Sequence, residues 1–250
     1  MGNGQRYGCL TRQVRQVHTI TDRFSMANTY LINDERVVIV DPGSELNVRL
    51  AFVYLQQFLH RSATDIDLIV LTHLHPDHTA GVDMLRRACS APVAASAAAR
   101  QLAQAESGWK PVIPGITHLA GKVLGQAALP GVLHHLDLFP PHYASQMKMI
   151  DQWLEDVAGL PQHPDWRVIA SPGHTPESLC LYNPFSYELL CGDTVITIEG
   201  GAPLLRGTAN RRQLEDTLRT LRSLEINYLY PGHGRPILAK RPLNNASVEW

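Results

Sequence analysis

Four side chains that can bind a metal ion lie within six residues of this 250-residue sequence. The segment follows Ile66–Leu71, an apolar run with the length and composition of a buried strand. Side chains on extended backbone alternate in direction, so His73 and His75 are expected on the same side. The proline after them favours a turn that brings Asp77 and His78 to a neighbouring position. Imidazole and carboxylate groups bind Zn²⁺ and, less selectively, iron or manganese, so the segment predicts a metal site.

Three later apolar runs end in the same kind of residue, a histidine or aspartate beside a glycine. These are His174 in Pro-Gly-His-Thr, Asp193 in Cys-Gly-Asp and His233 in Pro-Gly-His. Loops at the carboxyl ends of strands converge in α/β proteins, and glycine permits a close approach of the backbone. One Gly-His pair alone is typical of an ordinary turn. Together with residues 73–78 they make four segments in one chain, which indicates that all of them serve a single metal centre.

The residues between these segments predict strands and helices in both halves of the chain. Period-2 or fully apolar patterns favour strands, whereas apolar residues three and four positions apart favour helices. This arrangement predicts two sheets, each covered by helices on its outer face. The predicted strands are 14–20, 29–32, 37–40, 66–71, 92–95, 167–170, 178–182, 188–190 and 228–230, and the predicted helices are 47–60, 81–87, 96–106 and 211–224, the last capped by Asn210.

An excursion at about 107–158 interrupts this pattern with prolines and glycines. We predict that it ends in a helix from about Ala144 to Val157. The stripe formed by Met147, Ile150, Leu154 and Val157 would pack on the core, or would form a lid over an apolar substrate. A pocket wall or the contact of a homodimer is equally open for this segment.

The composition limits the classes of function. Apolar residues make up 44% and charged residues 18% of the chain, which is typical of a folded protein, and we expect one domain over residues 1–250. The formal net charge of −1 disfavours nucleic acid or anionic lipid as a partner. The four cysteines lack CxxC spacing, and no apolar run approaches a membrane span or a signal core. We therefore expect a soluble, cytoplasmic protein that acts on a small molecule.

The four segments together resemble the motifs of the metallo-β-lactamase superfamily. They are HLHPDH at 73–78, PGHT around His174, CGD ending at Asp193 and PGH ending at His233, and Asp41-Pro42-Gly43 resembles the early turn of that family. The resemblance extends from about Val14 to His233. It implies an α/β fold, the four-layer αββα sandwich, in which two mixed sheets pack face to face and the metals lie at one edge.

The resemblance also implies a set of ligands for two divalent metal ions. His73, His75 and His174 would hold one ion, and Asp193 would bridge to the second. The ligands of the second ion would be Asp77, His78 and His233. Zn²⁺ is the first choice, with iron and manganese open. Three neighbours of these ligands, Asp41, Thr72 and Thr175, are candidates to orient the imidazoles, or they make ordinary hydrogen bonds of a turn or strand end.

Such a site predicts a hydrolase in which a hydroxide bridging two metals attacks an ester-like bond. The bond would be a thioester, a lactone or an ester, and Asp77 would orient the nucleophile or receive its proton. Glyoxalase II-like hydroxyacylglutathione hydrolases share the metal motifs but carry a C-terminal helical region, which we do not expect here because only 17 residues follow His233. Acyl-homoserine lactonases usually show Pro-Gly-His where this chain has Pro176-Glu177-Ser178.

Three alternatives to this hydrolase differ from it in their metal chemistry. A β-lactamase proper is not expected, because one zinc subclass uses a cysteine ligand at the position of Asp193, and Cys191 lies two residues earlier. A mononuclear iron enzyme resembling persulfide dioxygenases needs fewer ligands than this chain supplies. A binding protein that uses bound metal only to hold a ligand is the non-catalytic alternative. The complete ligand set favours hydrolysis over both.

Overall fold

The computed structural model describes residues 16–22, 27–106, 143–197, 203–206 and 210–249. Its first sheet has six strands in sequence order. The first three strands are antiparallel and the last three continue in parallel, so the sheet is mixed. The strands are β1 (Val17–Thr21), β2 (Asn28–Asn33), β3 (Val37–Val40), β4 (Ile66–Val70), β5 (Val93–Ser96) and β6 (Gln152–Leu154).

The second six-stranded sheet is built from the later part of the chain. Its strands are β7 (Gly159–Leu160), β8 (His163–Ala170), β9 (Leu179–Asn183), β10 (Glu188–Gly192), β13 (Tyr228–Pro231) and β14 (Ile237–Leu238). They are ordered β14-β13-β10-β9-β8-β7, and β10 and β13 are parallel. A small third sheet contains β11 (Ile196–Thr197), β12 (Pro203–Arg206) and β15 (Ser247–Glu249).

Six α-helices lie within the described ranges. They are α1 (Glu45–Phe58), α2 (Pro76–Thr79), α3 (Val82–Ala88), α4 (Ala97–Glu106), α5 (Tyr143–Gln146) and α6 (Arg211–Arg222). Asn210 caps α6 as predicted, since its Oδ1 accepts a hydrogen bond from the Gln213 N–H at 3.2 Å. In these parts of the chain, none of the helices has both the length and the apolar character needed to span a membrane.

The buried apolar side chains form three layers, and β3 shows why. Along its four residues, Val37 and Ile39 join the cluster beneath α1, α3 and α4, whereas Val38 and Val40 join the cluster between the two sheets. Side chains alternate across a strand, so a fully apolar strand is buried on both faces. The second sheet packs its other face on α6. These layers confirm the αββα sandwich of two sheets with helices outside.

The predicted helix from Ala144 to Val157 is wrong. Only α5 and a 3₁₀ turn at Met147–Met149 are helical, and the chain then forms β6. The edge of β5 captures this segment, because the Asp151 N–H donates to Val93 O at 2.8 Å and Ala94 pairs with Gln152. The apolar spacing misled the prediction, since Ile150 and Leu154 are buried in different layers. Val157, expected in the core, is 75% exposed.

The first part of the excursion, residues 107–142, lies outside the described residues. The prediction of a lid, a pocket wall or a dimer contact therefore stays a prediction for that part.

Candidate metal centre

The predicted site residues follow five strands whose carboxyl ends meet at one edge of the sandwich. In the first sheet, β3 leads to Asp41 and the parallel β4 leads to the loop of residues 71–75. In the second sheet, β8, β10 and β13 all run in the same direction and lead to His174, Asp193 and His233. A hydrogen bond from the Leu179 N–H to Thr72 O, 2.9 Å long, joins the two sheets here.

The first group of donor atoms comes from His73, His75, His174 and Asp193, all buried. His75 Nδ1 lies 3.1 Å from His73 Nε2 and 3.1 Å from His174 Nε2. Asp193 Oδ2 lies 3.7 Å from His73 Nε2 and 3.6 Å from His174 Nε2. Four ligands in a tetrahedron around Zn²⁺ have nitrogens about 3.3 Å apart, so these spacings suit one metal ion.

The second group comes from Asp77, His78, His233 and the same Asp193. His233 Nε2 lies 3.1 Å from Asp77 Oδ2 and 3.4 Å from Asp193 Oδ2. His78 Nε2 lies 3.3 Å from Asp193 Oδ1. In each group, all donor atoms lie within 4.8 Å of one another. The structure thus brings together all seven residues that the sequence motifs pointed to, and Asp193 belongs to both groups.

Two buried atoms of this cluster, His78 Nε2 and Asp193 Oδ1, lie 3.3 Å apart, but neither makes a hydrogen bond of good geometry in the parts of the chain that the structure describes. A buried polar atom without such a bond is costly, and a cation between the ligands would satisfy both atoms. The donor set of imidazoles and carboxylates also matches what zinc, iron and manganese accept. The residues present therefore fit two divalent metal ions that share Asp193.

The charges of the cluster are also compatible with a bound cation. Burial alone would lower the pKa of His78 and of His233, but the carboxylates of Asp193 and Asp77 outweigh burial. They raise the pKa of His233 to about 10 and that of His78 well above its ordinary value. Burial would likewise raise the pKa of each carboxyl, yet the two histidines hold both values low. The carboxylates thus keep their negative charge inside the protein, where a metal ion can replace the protons.

Asp41 and Thr72 contact the Nδ1 atoms of two of the imidazoles, on the side away from the donor groups. Asp41 Oδ1 accepts from the Thr72 N–H at 2.8 Å, and its Oδ2 accepts from the Thr72 hydroxyl at 2.6 Å. The same Oδ2 lies 3.1 Å from His78 Nδ1, and Thr72 Oγ1 lies 3.1 Å from His73 Nδ1. With these Nδ1 atoms protonated, the Nε2 atoms of both histidines are left to face the metal groups.

Thr175 has a different surrounding from the other two candidates. Its hydroxyl shares a hydrogen bond of 2.7 Å with Ser178 Oγ, and its carbonyl accepts from the Gly173 N–H at 3.1 Å. These bonds are those of the turn that follows His174. A role of Thr175 in orienting an imidazole stays a prediction.

The shared aspartate depends on a glycine packed against it. A Cβ built on Gly232 would overlap Asp193 Oδ1. The backbone before His233 can therefore pass this carboxylate only because position 232 has no side chain.

Sequence reasoning missed the buried Glu177. It is 1% exposed, and its carboxylate accepts from the Tyr143 hydroxyl at 2.6 Å and from the Leu74 N–H at 3.3 Å. Burial raises the pKa of Glu177, although the hydrogen bond from Tyr143 opposes this. The signal was present in the sequence as Pro176-Glu177-Ser178, a departure from the Pro-Gly-His usual in the lactonases.

Comparison with known proteins agrees with this geometry. The chain matches the family model of the metallo-beta-lactamase superfamily over residues 22–233. The protein therefore belongs to the metallo-β-lactamase superfamily.

Relatives by sequence include proteins that are hydrolases by name. The probable metallo-hydrolase YflN of Bacillus subtilis is 24% identical over 254 residues, which cover 94% of this chain and 90% of that protein. A hydroxyacylglutathione hydrolase of Idiomarina loihiensis is 27% identical over 190 residues, covering 76% of this chain but only 53% of that protein. The likeness to the second thus leaves nearly half of that enzyme without a counterpart.

Two solved structures share the fold. The BLEG-1 B3 metallo-beta-lactamase has a TM-score of 0.60 and 21% identity, covering 91% of this chain and 95% of that chain. TTHA1623, solved in a di-iron-bound form, has a TM-score of 0.55 and 24% identity, covering 87% of this chain and 91% of that chain. At these identities the likeness concerns the fold alone.

Proposed function

We propose that this protein is a hydrolase that uses two divalent metal ions to cleave an ester-like bond of a small molecule. The bond would be a thioester, a lactone or an ester. The observation that carries the proposal is the pair of buried donor groups that share Asp193. The relatives named metallo-hydrolase and hydroxyacylglutathione hydrolase support it, the second because its substrate class is a thioester.

Each of the two donor groups would bind one metal ion. One ion would be held by His73, His75 and His174 and the other by Asp77, His78 and His233, with Asp193 common to both. When bound, two such ions lower the pKa of water and polarise the oxygen that gains charge as the bond breaks.

Asp77 is our candidate for the group that orients the attacking water or receives its proton. Its carboxylate is 7% exposed, and Oδ2 lies 3.1 Å from His233 Nε2. The low pKa of Asp77, which His78 and His233 maintain against the effect of burial, keeps this side chain a charged carboxylate that can accept a hydrogen bond from the attacking water and orient it. Asp41 and Thr72 keep the imidazoles of His78 and His73 turned toward the ions.

Metal analysis combined with a substrate screen tests the proposal. We expect about two ions of zinc, iron or manganese per chain, and hydrolysis of at least one class among thioesters, lactones and aryl esters. Phosphodiesters serve as the comparison class. His75→Ala should lower kcat/KM by more than about 100-fold, because it removes a ligand of the first ion.

His163→Ala is the matched control, since His163 is a buried histidine whose Nδ1 faces Asp34 at 3.3 Å instead of the metal ligands. This variant should keep metal content and activity. Hydrolysis that continues undiminished after exhaustive chelation would contradict the proposal. Consumption of O₂ by an iron-loaded enzyme, without hydrolysis, would favour the dioxygenase instead.

A further inference from the structure

Leu74, the residue between His73 and His75, has both of its backbone polar groups bound by side chains. Its N–H donates to Glu177 Oε1 at 3.3 Å, and its carbonyl accepts from Gln146 Nε2 at 2.9 Å. Leu74 itself is fully buried. Buried backbone groups need hydrogen-bond partners, and here no strand or helix supplies them. The peptide planes that carry two metal ligands are thus held by residues far away in the sequence.

Glu177 and Gln146 are joined through α5. Tyr143 and Gln146 lie three residues apart on this helix and so occupy one face of it. The Tyr143 hydroxyl donates to Glu177 Oε2 at 2.6 Å, while Gln146 reaches Leu74 directly. All four residues are buried. The result is a closed polar bridge from α5 to the backbone between the two histidines.

We propose that Glu177 is a positioning residue for the first metal group, which acts by fixing the backbone of Leu74 together with Tyr143 and Gln146. Rotation of the peptide planes on either side of Leu74 would swing the two imidazoles. Their donor atoms, 3.1 Å apart, would then leave the spacing that one ion requires. This inference rests on the proposed two-metal centre.

A Zn²⁺ titration of the metal-free protein, in competition with a chromophoric chelator, tests this role. Glu177→Ala should weaken binding of the ion held by His73, His75 and His174 by 10–100-fold, the range typical of residues that support metal ligands. Binding at the other group should change by less than about 3-fold. The absorption spectrum of the Co²⁺-loaded variant should change as well, because the first coordination geometry is altered.

Glu188→Ala is the matched control. Glu188 is also buried, accepts from a tyrosine hydroxyl, that of Tyr230, at 2.9 Å, and lies at the opposite end of β10 from Asp193. Removing it should lower stability in a similar way but leave Zn²⁺ affinity and the Co²⁺ spectrum unchanged. Equal weakening in both variants would overturn the inference, since general loss of stability would then explain the effect.

Two milder variants keep the test decisive where Glu177→Ala fails to fold. Glu177→Gln should weaken the first site by less than about 10-fold relative to the wild type, because an amide oxygen can still accept from the Leu74 N–H, although more weakly than a carboxylate does. Tyr143→Phe removes one hydroxyl and should weaken the first site several-fold. Wild-type affinity in all of these variants would overturn the role of Glu177 alone, whereas a wild-type protein that takes up no Zn²⁺ would overturn the two-metal centre as well.

Discussion

At the residue scale, the shared carboxylate of Asp193 is placed by tight contacts of the backbone. Gly192 has a φ of +47°, a conformation that favours glycine, and a Cβ there would overlap the Thr72 hydroxyl. Gly232 passes directly beside Asp193 Oδ1. Both glycines belong to the motifs from which the site was predicted. Their place in the motifs therefore has a steric cause, the close approach of two strand ends around one carboxylate.

Gly232→Ala should displace the Asp193 carboxylate and weaken both metal ions together. We expect a loss of at least about 10-fold in Zn²⁺ affinity and, because the site is overpacked, about 1–3 kcal/mol of stability. Competition with a chelator and urea denaturation measure the two effects. Gly159→Ala is the control, since the nearest atom to a Cβ there is Pro164 Cα at 3.8 Å, an ordinary contact. Unchanged affinity in Gly232→Ala would show that Asp193 does not depend on this contact.

At the element scale, the sequence predicts those strands well that are buried on both faces. Runs such as Val37–Val40 favour a strand, because four β-branched apolar residues in succession suit a strand buried between two layers. The sequence predicts the segment after α5 incorrectly. Ile150 and Leu154 fit a helix by spacing alone, and only the open edge of β5 decides that they enter a sheet. Val157 then adopts φ +56°, which no local pattern for a valine indicates.

The site likewise contains contacts between distant residues that no local sequence pattern indicates. The ligands were predictable because each lies in a short motif that contains a glycine or a proline. The bridge from Glu177 to Leu74 was not, because it joins residues 103 positions apart. Only the packing of α5 against the metal loop brings the two into contact.

The contact between β1 and α1 gives the fold a pH dependence of its own. His18 Nδ1 lies 3.1 Å from the Tyr54 hydroxyl, and burial lowers the pKa of His18 below 6.5. The unfolded chain therefore binds a proton at His18 at a higher pH than the folded protein does. Stability from this residue is present above about pH 6.5 and decreases as the pH falls below that value.

We expect His18→Gln to lose part of this dependence. Between pH 7.5 and 5.5, the free energy of unfolding should fall more for the wild type than for the variant, as measured by urea denaturation. Comparing the two proteins at each pH cancels the contribution of the metal-site histidines, which both contain. Parallel curves would show that His18 stays protonated to the same extent in the folded and unfolded chain.

At the scale of the whole molecule, the proposed ions would connect the two sheets. The loop after β4, together with α2, supplies four ligands on the side of the first sheet, and the second sheet supplies His174, Asp193 and His233. Direct bonds cross the same edge, among them those from the Asn28 N–H to Gly232 O at 2.7 Å and from Asn28 Nδ2 to Pro231 O at 2.8 Å. A metal ion held from both sides would add to these bonds.

Metal should therefore stabilise the entire sandwich and not one loop. A ligand that binds only the folded state at 100 times its Kd contributes about 2.7 kcal/mol, which for a chain of this size raises Tm by roughly 5–10 °C. Scanning calorimetry of the metal-free and Zn²⁺-loaded protein should show one transition that shifts as a unit. His75→Ala, in the first sheet, and His174→Ala, in the second, should each reduce the shift, whereas His163→Ala should keep it. A shift that survives the loss of a ligand from one sheet would mean that the ions are held by the other sheet alone.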